Sequence, residues 1–415
     1  MALEPIVLHV FPGIRPGGGP AGYGYNLQMG LQGFFKNEKD APLWILSPTG
    51  SSYGIYAEPS WRFRLLQKVP IWLAAQLLFL RYRQVCNDIF RYFGFSAGDL
   101  DRMRSVKVIV FHDWRLAKTY LHKIGRQPGQ RILAMPHSPT EHSAEVIENW
   151  RACFGCSQAW QRIYEYLSAM EIQTLLSCDG LVVPCYQSLE SYFVTHPERQ
   201  ASLLNLPIYQ IKSGVSAKEA TLARRQVLCE LGIPYEKKIV GFFGRHHSHK
   251  GYDLFCEVAR LVYEEKDSDL FFLTAGSGPV PSPTDLANFI DLGHLAPQQC
   301  TNMMAAADLI VVPNRFNYFD LVILEAMSLG KVVLTTPVGG ALCLKAPGIF
   351  MIKNKSPKLL LEEIRYIVFG GRGPLSDLGM GNRDVFLQEY TLECFVRNHI
   401  TLAQDLLSEN KIWGI

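Results

Sequence analysis

Short apolar runs alternate with longer helical stretches along most of this chain. A first series lies at Ile6–Val10, Leu43–Leu46, Val106–Phe111, Ile132–Met135 and Leu181–Val183. A second series lies at Ile239–Phe243, Leu270–Thr274, Phe289–Leu292, Leu309–Val312, Val332–Thr335 and Ile349–Ile352. Uninterrupted apolar runs separated by helices are typical of parallel strands that are buried on both faces. The pattern predicts the α/β class, with two Rossmann-like, doubly wound domains.

The length of the chain supports two domains, because 415 residues exceed the ~250–300 at which a single core stops growing. Proline and glycine interrupt the connection Leu206–Ser216, so we place the boundary there. We predict an N-terminal domain over residues 1–205 and a C-terminal domain over 206–390. Residues 391–415 are predicted to form a helix that packs back across the boundary.

Composition excludes some classes of protein. Hydrophobic residues make up 48% and charged residues 19% of the chain, which indicates an ordered globular protein. A formal charge of +3 spread over scattered cations does not favour nucleic-acid binding. Most of the ten cysteines stand singly in apolar stretches, which is typical of reduced, buried thiols in a cytosolic protein. The pair Cys153 and Cys156 has no second pair with which to bind zinc.

The amino-terminal region lacks the pattern of a signal peptide, and we therefore expect a cytoplasmic protein. The most apolar stretch, Val69–Leu80, is too short for the ~20 residues of a membrane-spanning helix. Residues 62–83 mix cations with large apolar side chains, as an interfacial helix does, although a buried helix with solvated ends fits about as well. Peripheral contact with the inner membrane face through this segment is a hypothesis.

The loop after Ile239–Phe243 combines glycine with positive charge. Arg245 and Lys250 stand between Gly244 and Gly251, and a helix is predicted from Tyr252. Glycines let backbone approach an anion, two cations suit a diphosphate, and a helix dipole favours the same charge. An exposed basic turn would explain any one of these residues but not the whole set.

Two further loops follow strands of the same series. Gly276 and Gly278 could let a ligand touch backbone, although a plain tight turn is equally consistent. After Leu309–Val312, a loop leads into an apolar helix that carries Glu325. A carboxylate among apolar residues must be solvated or bonded to something specific, and ribose hydroxyls would serve.

From about Ile239 to Ile352 the chain resembles the retaining nucleotide-sugar glycosyltransferases of family 4, which have the GT-B fold. The resemblance rests on G-R-x4-K-G, G-x-G, F-x-x-L-G, A-A-A-D-L, D-L-V-I-L-E-A-M-S-L-G-K and V-G-G, in this order. It implies two domains that face each other across a cleft. It also implies transfer of a sugar to a hydroxyl of a glycan, a lipid-linked saccharide or a small glycoside, as in polysaccharide biosynthesis, with retention of anomeric configuration.

The resemblance assigns roles to individual residues of the donor site. Arg245 and Lys250 would hold the diphosphate, and Glu325 the ribose. Leu321 and Val322 would lend amides to the phosphates, and the segment that ends at Leu295 would present backbone to the base.

The glycine-rich loop after the first strand would face the donor phosphates and sugar, with Gly18 and Gly19 near them. Its spacing is wrong for a dinucleotide fingerprint. His137 corresponds to the histidine that lies beside the donor sugar in the family, and His112 to a structural position next to Asp113. These assignments make His137 a candidate for catalysis.

Two positions depart from the family pattern. Asn317 stands where the family usually has a glutamate, eight positions before Glu325, and Asp320 stands where it often has glycine. An amide carries no charge to stabilise an oxocarbenium-like transition state. Either the chemistry tolerates Asn317 or Asp320 substitutes for the carboxylate, and both remain candidates for catalysis.

We expect no metal and no cofactor apart from the nucleotide-sugar substrate. The D-x-D spacing at Asp267–Asp269 precedes a strand, which favours a solvated turn over a metal site. The main alternative function is a degenerate GT-B protein that binds a nucleotide sugar or a partner without catalysis. A nucleotide-sugar epimerase is a third interpretation, and an NAD-dependent dehydrogenase is weaker because the fingerprint fails.

Overall fold

The computed structural model describes residues 4–16, 19–36, 40–48, 65–138, 140–266, 269–353 and 356–409. The chain divides into two compact units, Met1–Ile211 with Val396–Ile415, and Lys212–Phe395. Within the described residues each unit contains a six-stranded sheet in which every neighbouring pair of strands is parallel. The predicted fold class, two α/β domains built on parallel sheets, is confirmed.

Strands and helices alternate along the described chain. The strands are β1 Glu4–Val10, β2 Leu43–Leu46, β3 Val106–Phe111, β4 Arg131–Ala134, β5 Gly180–Val183, β6 Ile208–Gln210, β7 Lys238–Phe243, β8 Leu270–Ala275, β9 Phe289–Asp291, β10 Leu309–Val312, β11 Val332–Thr335 and β12 Ile349–Met351. The helices are α1 Gly19–Phe34, α2 Ile71–Asn87, α3 Ile89–Phe93, α4 Ala97–Ser105, α5 Trp114–Lys123, α6 His142–Phe154, α7 Gln158–Leu176, α8 Glu190–Thr195, α9 Gln200–Leu204, α10 Arg224–Glu230, α11 Tyr252–Glu264, α12 Pro297–Ala306, α13 Leu321–Ser328, α14 Pro357–Val368, α15 Leu375–Glu389 and α16 Leu392–Glu409.

The first sheet has the strand order β2-β1-β3-β4-β5-β6. Val10, the last residue of β1, is in register with Leu46 on one side and with Phe111 on the other. The order reverses between β1 and β3, and ligands of open parallel sheets bind at such switch points, outside the carboxyl ends of the strands. This places the loops that follow β1 and β3 at the candidate binding edge of the first unit.

The second sheet has the order β12-β11-β10-β7-β8-β9, which is the order of the Rossmann fold. Its switch point lies between β7 and β10, where Val240 is in register with Leu309. The loops after β7 and β10 therefore share the carboxyl edge of the sheet. These are the loops that contain Lys250 and Asn317.

Burial explains why the apolar runs predicted the strands well. All four residues of β5, β10 and β11 are buried, so no polar side chain interrupts these runs except the terminal Thr335 of β11. Helix α11 covers the second sheet with one apolar face, and its fully buried residues include Phe255, Val258 and Val262. The spacing of this face is the helical one.

Two predicted segments differ from the structure. The segment Leu206–Ser216, where we placed the domain boundary, contains a short strand, β6, which pairs with β5 at the edge of the first sheet. Helix α1 begins at Gly19, so much of the glycine-rich run that was interpreted as a loop is helical. At Gly24 a Cβ would come within 3.0 Å of the Phe11 ring, so the small residue lets α1 pack closely against the end of β1.

Eight of the cysteines are free thiols, but they are not uniformly buried as expected: Cys86 and Cys178 are buried, and Cys229 is exposed. Among the described helices, none combines the length and the apolarity that crossing a bilayer requires. The described residues also contain no group of three or more histidine, cysteine, aspartate or glutamate side chains arranged to hold a metal. Asp267 and Ser268 lie outside the described residues.

Candidate functional site

Three loops meet at the carboxyl edge of the second sheet. The amide of His246, after β7, donates to the carbonyl of Ser277, after β8, over 3.0 Å. On the other side, the amide of Arg315, after β10, donates to the carbonyl of His249 over 2.8 Å. The loop that contains Arg245 and Lys250 is therefore held between the other two predicted donor loops.

Gly276 and Gly278 have a packing role at this edge. Gly276 has φ +155°, and a Cβ there would overlap the carbonyl oxygen of Gly244. A Cβ at Gly278 would overlap the carbonyl oxygen of His246. These glycines let the loops after β7 and β8 approach backbone to backbone at Gly244 and His246, the two residues that flank Arg245.

Helix α11 begins directly after Lys250. Gly251 takes the left-handed conformation, with φ +68°, and precedes the first helical residue, Tyr252. In the first turn, Asp253 accepts two hydrogen bonds from the guanidinium of Arg315, at 2.6 and 2.7 Å. This ion pair ties the loop after β10 to the amino end of α11. The helix start therefore lies next to Lys250, where its dipole favours an anion.

The ammonium group of Lys250 is bound to a carboxylate. Its Nζ donates to Oδ2 of Asp320 over 2.6 Å, and the side-chain amide of Asn314 donates to the same oxygen over 2.9 Å. Burial alone would raise the pKa of Asp320, but Lys250 and Asn314 stabilise the charged form and hold that pKa below its usual value. Asp320 is consequently an anion that faces a predicted phosphate-binding cation.

Asn317 is almost completely buried, with 5% of its surface exposed. No hydrogen-bond acceptor for its Nδ2 is found among the described residues. The V-G-G segment packs on its backbone, since a Cβ at Gly339 would overlap the carbonyl oxygen of Asn317. A buried amide donor without an acceptor is costly, which makes this group a candidate for binding a ligand oxygen.

Glu325 lies on α13 and forms an ion pair with Lys218, at 3.2 Å between Nζ and Oε1. The backbone of Lys218 is fixed as well, because its amide donates to Oγ of Ser328 over 3.2 Å. Sequence reasoning missed Lys218, which lies near the start of the predicted C-terminal domain and belongs to no recognised motif. The remaining residues of this unit were predicted to contribute backbone groups. Leu321 and Val322 open α13 next to Asp320, and Leu295 packs on the core of the unit.

In the first unit, the predicted residues lie on separate elements of the carboxyl edge. Gly19 is the first residue of α1 and has φ +68°, while Gly18 lies outside the described residues. His137 follows β4, and its Nε2 lies 2.8 Å from Nδ1 of His112. Both histidines that sequence reasoning selected are therefore in direct contact.

Three charged side chains of the first unit have structural partners. Asp113 and Arg115 form a buried ion pair at 2.5 Å that closes the start of α5. Glu141 is only 1% exposed and accepts hydrogen bonds from Ser168 and Tyr164 at 2.6 and 3.0 Å. Its carboxylate faces the protein interior.

A family model of known proteins matches the part of the chain that contains these loops. Residues 237–368, which include all three loops, match the family model described as "Glycosyl transferases group 1". The match covers about a third of the chain and lies within the second unit. The D-inositol 3-phosphate glycosyltransferase of Corynebacterium efficiens is 33% identical over 124 residues, which are 27% of this chain and 29% of that protein. The chain spans less than two thirds of the length of the curated relatives it matches first.

Solved structures of low sequence identity share the fold. The sucrose-phosphate synthase of Thermosynechococcus elongatus superimposes with a TM-score of 0.63 at 15% identity, over 97% of this chain and all of that one. HepE of Anabaena, solved in complex with UDP and glucose, gives a TM-score of 0.60 at 12% identity, over 97% of this chain and 99% of that one. These similarities support the GT-B fold class.

Proposed function

We propose that this chain is a retaining glycosyltransferase that transfers a sugar from a nucleotide-sugar donor to an acceptor hydroxyl. The observation that carries the proposal is the convergence of three donor-type loops at the switch point of the second sheet. One sheet edge presents two cations, a helix amino terminus and a buried amide donor. This combination suits the phosphates and sugar of such a donor.

The reaction needs no metal in this proposal. The bond between the anomeric carbon and the donor phosphate breaks, and the acceptor oxygen bonds to that carbon on the same face. The acceptor proton passes to the departing phosphate. Arg245, Lys250 and the amino terminus of α11 would stabilise the charge of the leaving diphosphate, as a divalent cation does in other enzymes. Glu325 would bind the ribose.

The contacts around Asp320 favour it over Asn317 as the charged group of the site. Asp320 is held as an anion next to Lys250, whereas Asn317 offers an uncharged, buried donor. We infer that Asn317 binds a sugar hydroxyl or a phosphate oxygen and that Asp320 supplies negative charge near the reacting carbon. His137 would contact the donor sugar from the first unit.

The proposed acceptor is a glycan, a small glycoside or a lipid-linked saccharide. We propose that the protein acts at the cytoplasmic side of the membrane. Helix α2 supports peripheral contact, because its exposed surface includes Trp72 at 62%, Leu80 at 51% and the cations Arg81 and Arg83. Arg62 and Arg64 lie outside the described residues. Sedimentation with anionic vesicles should be lost in Trp72→Ala, and wild-type protein that stays in the supernatant would contradict membrane contact.

Thermal unfolding with nucleotides tests the donor site. UDP is the first ligand to use, since HepE holds it, followed by GDP, ADP and dTDP and their sugar conjugates. A ligand at 100 times its dissociation constant adds about 2.7 kcal/mol to the free energy of unfolding. We expect a selective rise in melting temperature that is lost in Lys250→Ala. Lys266→Ala is a matched control, because Lys266 follows the opposite end of α11, ~20 Å away.

The outcomes separate the candidate functions. A shift with one nucleotide, followed by release of that nucleotide in the presence of a suitable acceptor, supports a transferase. A shift without turnover of any donor supports a degenerate binding protein. No shift with any nucleotide contradicts the assignment of Arg245 and Lys250.

A further inference from the structure

Three histidine rings of the first unit form a hydrogen-bonded row. Nδ1 of His9, on β1, lies 2.9 Å from Nε2 of His112, which follows β3. Nδ1 of His112 lies 2.8 Å from Nε2 of His137, which follows β4. The row connects three adjacent elements at the switch point of the first sheet, and its last member is the histidine assigned to the donor sugar.

Two of the three rings are almost fully buried and His137 is partly buried, and this burial keeps all three neutral. His9 and His112 are 2% and 1% exposed. Burial lowers the pKa of His9 and of His137 from 6.5 to about 3. It also lowers the pKa of His112 well below its usual value, and the two flanking histidines add to this effect. At neutral pH each ring therefore carries one proton on one of its two nitrogens.

Hydrogen bonding couples the positions of these protons. Each N···N contact needs one N–H and one bare nitrogen, and His112 uses both of its nitrogens within the row. If His112 donates to His9, its Nδ1 is bare and His137 must donate to it. If His9 donates to His112, then His112 must donate to His137. The tautomer of one ring therefore sets the tautomers of the other two.

Aromatic packing keeps the rings in this orientation. Phe11 stacks on His112 with 3.7 Å between ring centroids, and Tyr23 packs edge-on against His137 at 5.0 Å. Tyr23 is itself fixed, because its hydroxyl lies 2.7 Å from Nε2 of His399 on α16. Rotation of one ring out of the row would break these contacts as well as the hydrogen bonds.

We propose that His9 and His112 are positioning residues that determine which ring nitrogen of His137 carries the proton. Nδ1 of His137 takes no part in the row. It therefore presents either an acceptor or a donor to its surroundings, according to the polarity of the row, which is the direction in which both hydrogen bonds are donated. The consequence for turnover rests on the proposed function, in which His137 contacts the donor sugar. The coupling of the tautomers does not depend on it.

Nuclear magnetic resonance of the full chain with ¹⁵N-labelled histidine tests the coupling. In wild type we expect His9, His112 and His137 each to show a single neutral tautomer with one common polarity, and scalar couplings across both N–H···N bonds. In His9→Leu the row loses its end, and the His137 signals should shift toward a mixture of tautomers. His9→Asn should restore the wild-type pattern, because its amide replaces Nδ1.

The exposed histidine of α5 supplies the control, and His122→Asn should leave the three signals unchanged. Absence of both scalar couplings in wild type overturns the proposal even if no variant folds, and so does an unchanged His137 tautomer in folded His9→Leu. In turnover assays we expect kcat of His9→Leu to fall about tenfold with little change in KM, and His9→Asn to recover it. If wild type turns over no donor but shows the couplings, the proposed function fails and the coupling stands.

Discussion

Asp320 and a donor phosphate are expected to compete for Lys250, and Asp320→Asn tests this. The Lys250 side chain is 28% exposed and the Asp320 side chain is 14% exposed, with 2.6 Å between Nζ and Oδ2. A phosphate oxygen bound to the same ammonium would lie about 5 Å from Asp320. With an effective dielectric constant of about 20, two unit charges at that distance repel by about 3 kcal/mol.

Solvent and salt screen part of this repulsion. If roughly half of the repulsion remains, it corresponds to about a tenfold change in affinity. We therefore expect Asp320→Asn to bind UDP, or the nucleoside diphosphate that gives the largest thermal shift, about tenfold more tightly than wild type. Lys250→Ala should weaken the same binding. The gain in Asp320→Asn should shrink as ionic strength rises.

Isothermal titration calorimetry measures both changes, and Asp285→Asn is a matched control. Asp285 lies in the same unit and pairs with Arg260 at 2.8 Å, but it is exposed. Unchanged or weaker binding by Asp320→Asn, together with unchanged binding by Lys250→Ala, would refute the placement of the diphosphate at Lys250. A fall in kcat despite tighter nucleotide binding would assign the reactive charge to Asp320.

Two further predictions concern stability. Gly276→Ala should lower the free energy of unfolding by about 2–4 kcal/mol in a denaturant titration, because its φ and the neighbouring carbonyl exclude a Cβ. Gly33→Ala is the control, and it should be neutral or stabilising because Gly33 has an open helical position. Arg115→Met should lower the free energy of unfolding by about 3–5 kcal/mol, because it leaves Asp113 buried without its cation. Arg260→Met removes the cation of an exposed pair and should lower the free energy of unfolding by at most about 1 kcal/mol. Equal losses of stability in the two variants would contradict the role of burial.

The strands of this protein were predictable because most of them are buried on both faces and therefore continuously apolar. β6 was not predictable from the sequence, since it has only three residues at the edge of the sheet and none of them is fully buried. It also follows a proline, which suggests a break. The helical start of α1 was missed because glycines usually indicate a loop. Here they are small residues under an aromatic ring, and only the packing of Phe11 shows this.

The donor loops could be placed from topology, because loops after adjacent strands of a parallel sheet meet at one edge. The partners of the side chains on these loops could not be predicted from topology. Lys218 lies 107 positions before Glu325, and Lys250 lies 70 positions before Asp320, so no local spacing connects either pair. The histidine row was hidden for a similar reason. His9 stands between apolar residues of a strand and shows no chemical pattern until β1, β3 and β4 bring three rings together.

The two departures from the family pattern compensate each other in charge. The usual glutamate is replaced by Asn317, and a residue that is often glycine is replaced by Asp320, so the loop after β10 keeps one negative charge. That charge has moved to the residue that precedes α13, where it contacts Lys250 directly. A carboxylate at this position is favoured by the helix dipole and holds the lysine in place without a ligand. The exchange of residues therefore favours the proposed transferase over the alternative of a degenerate binding protein.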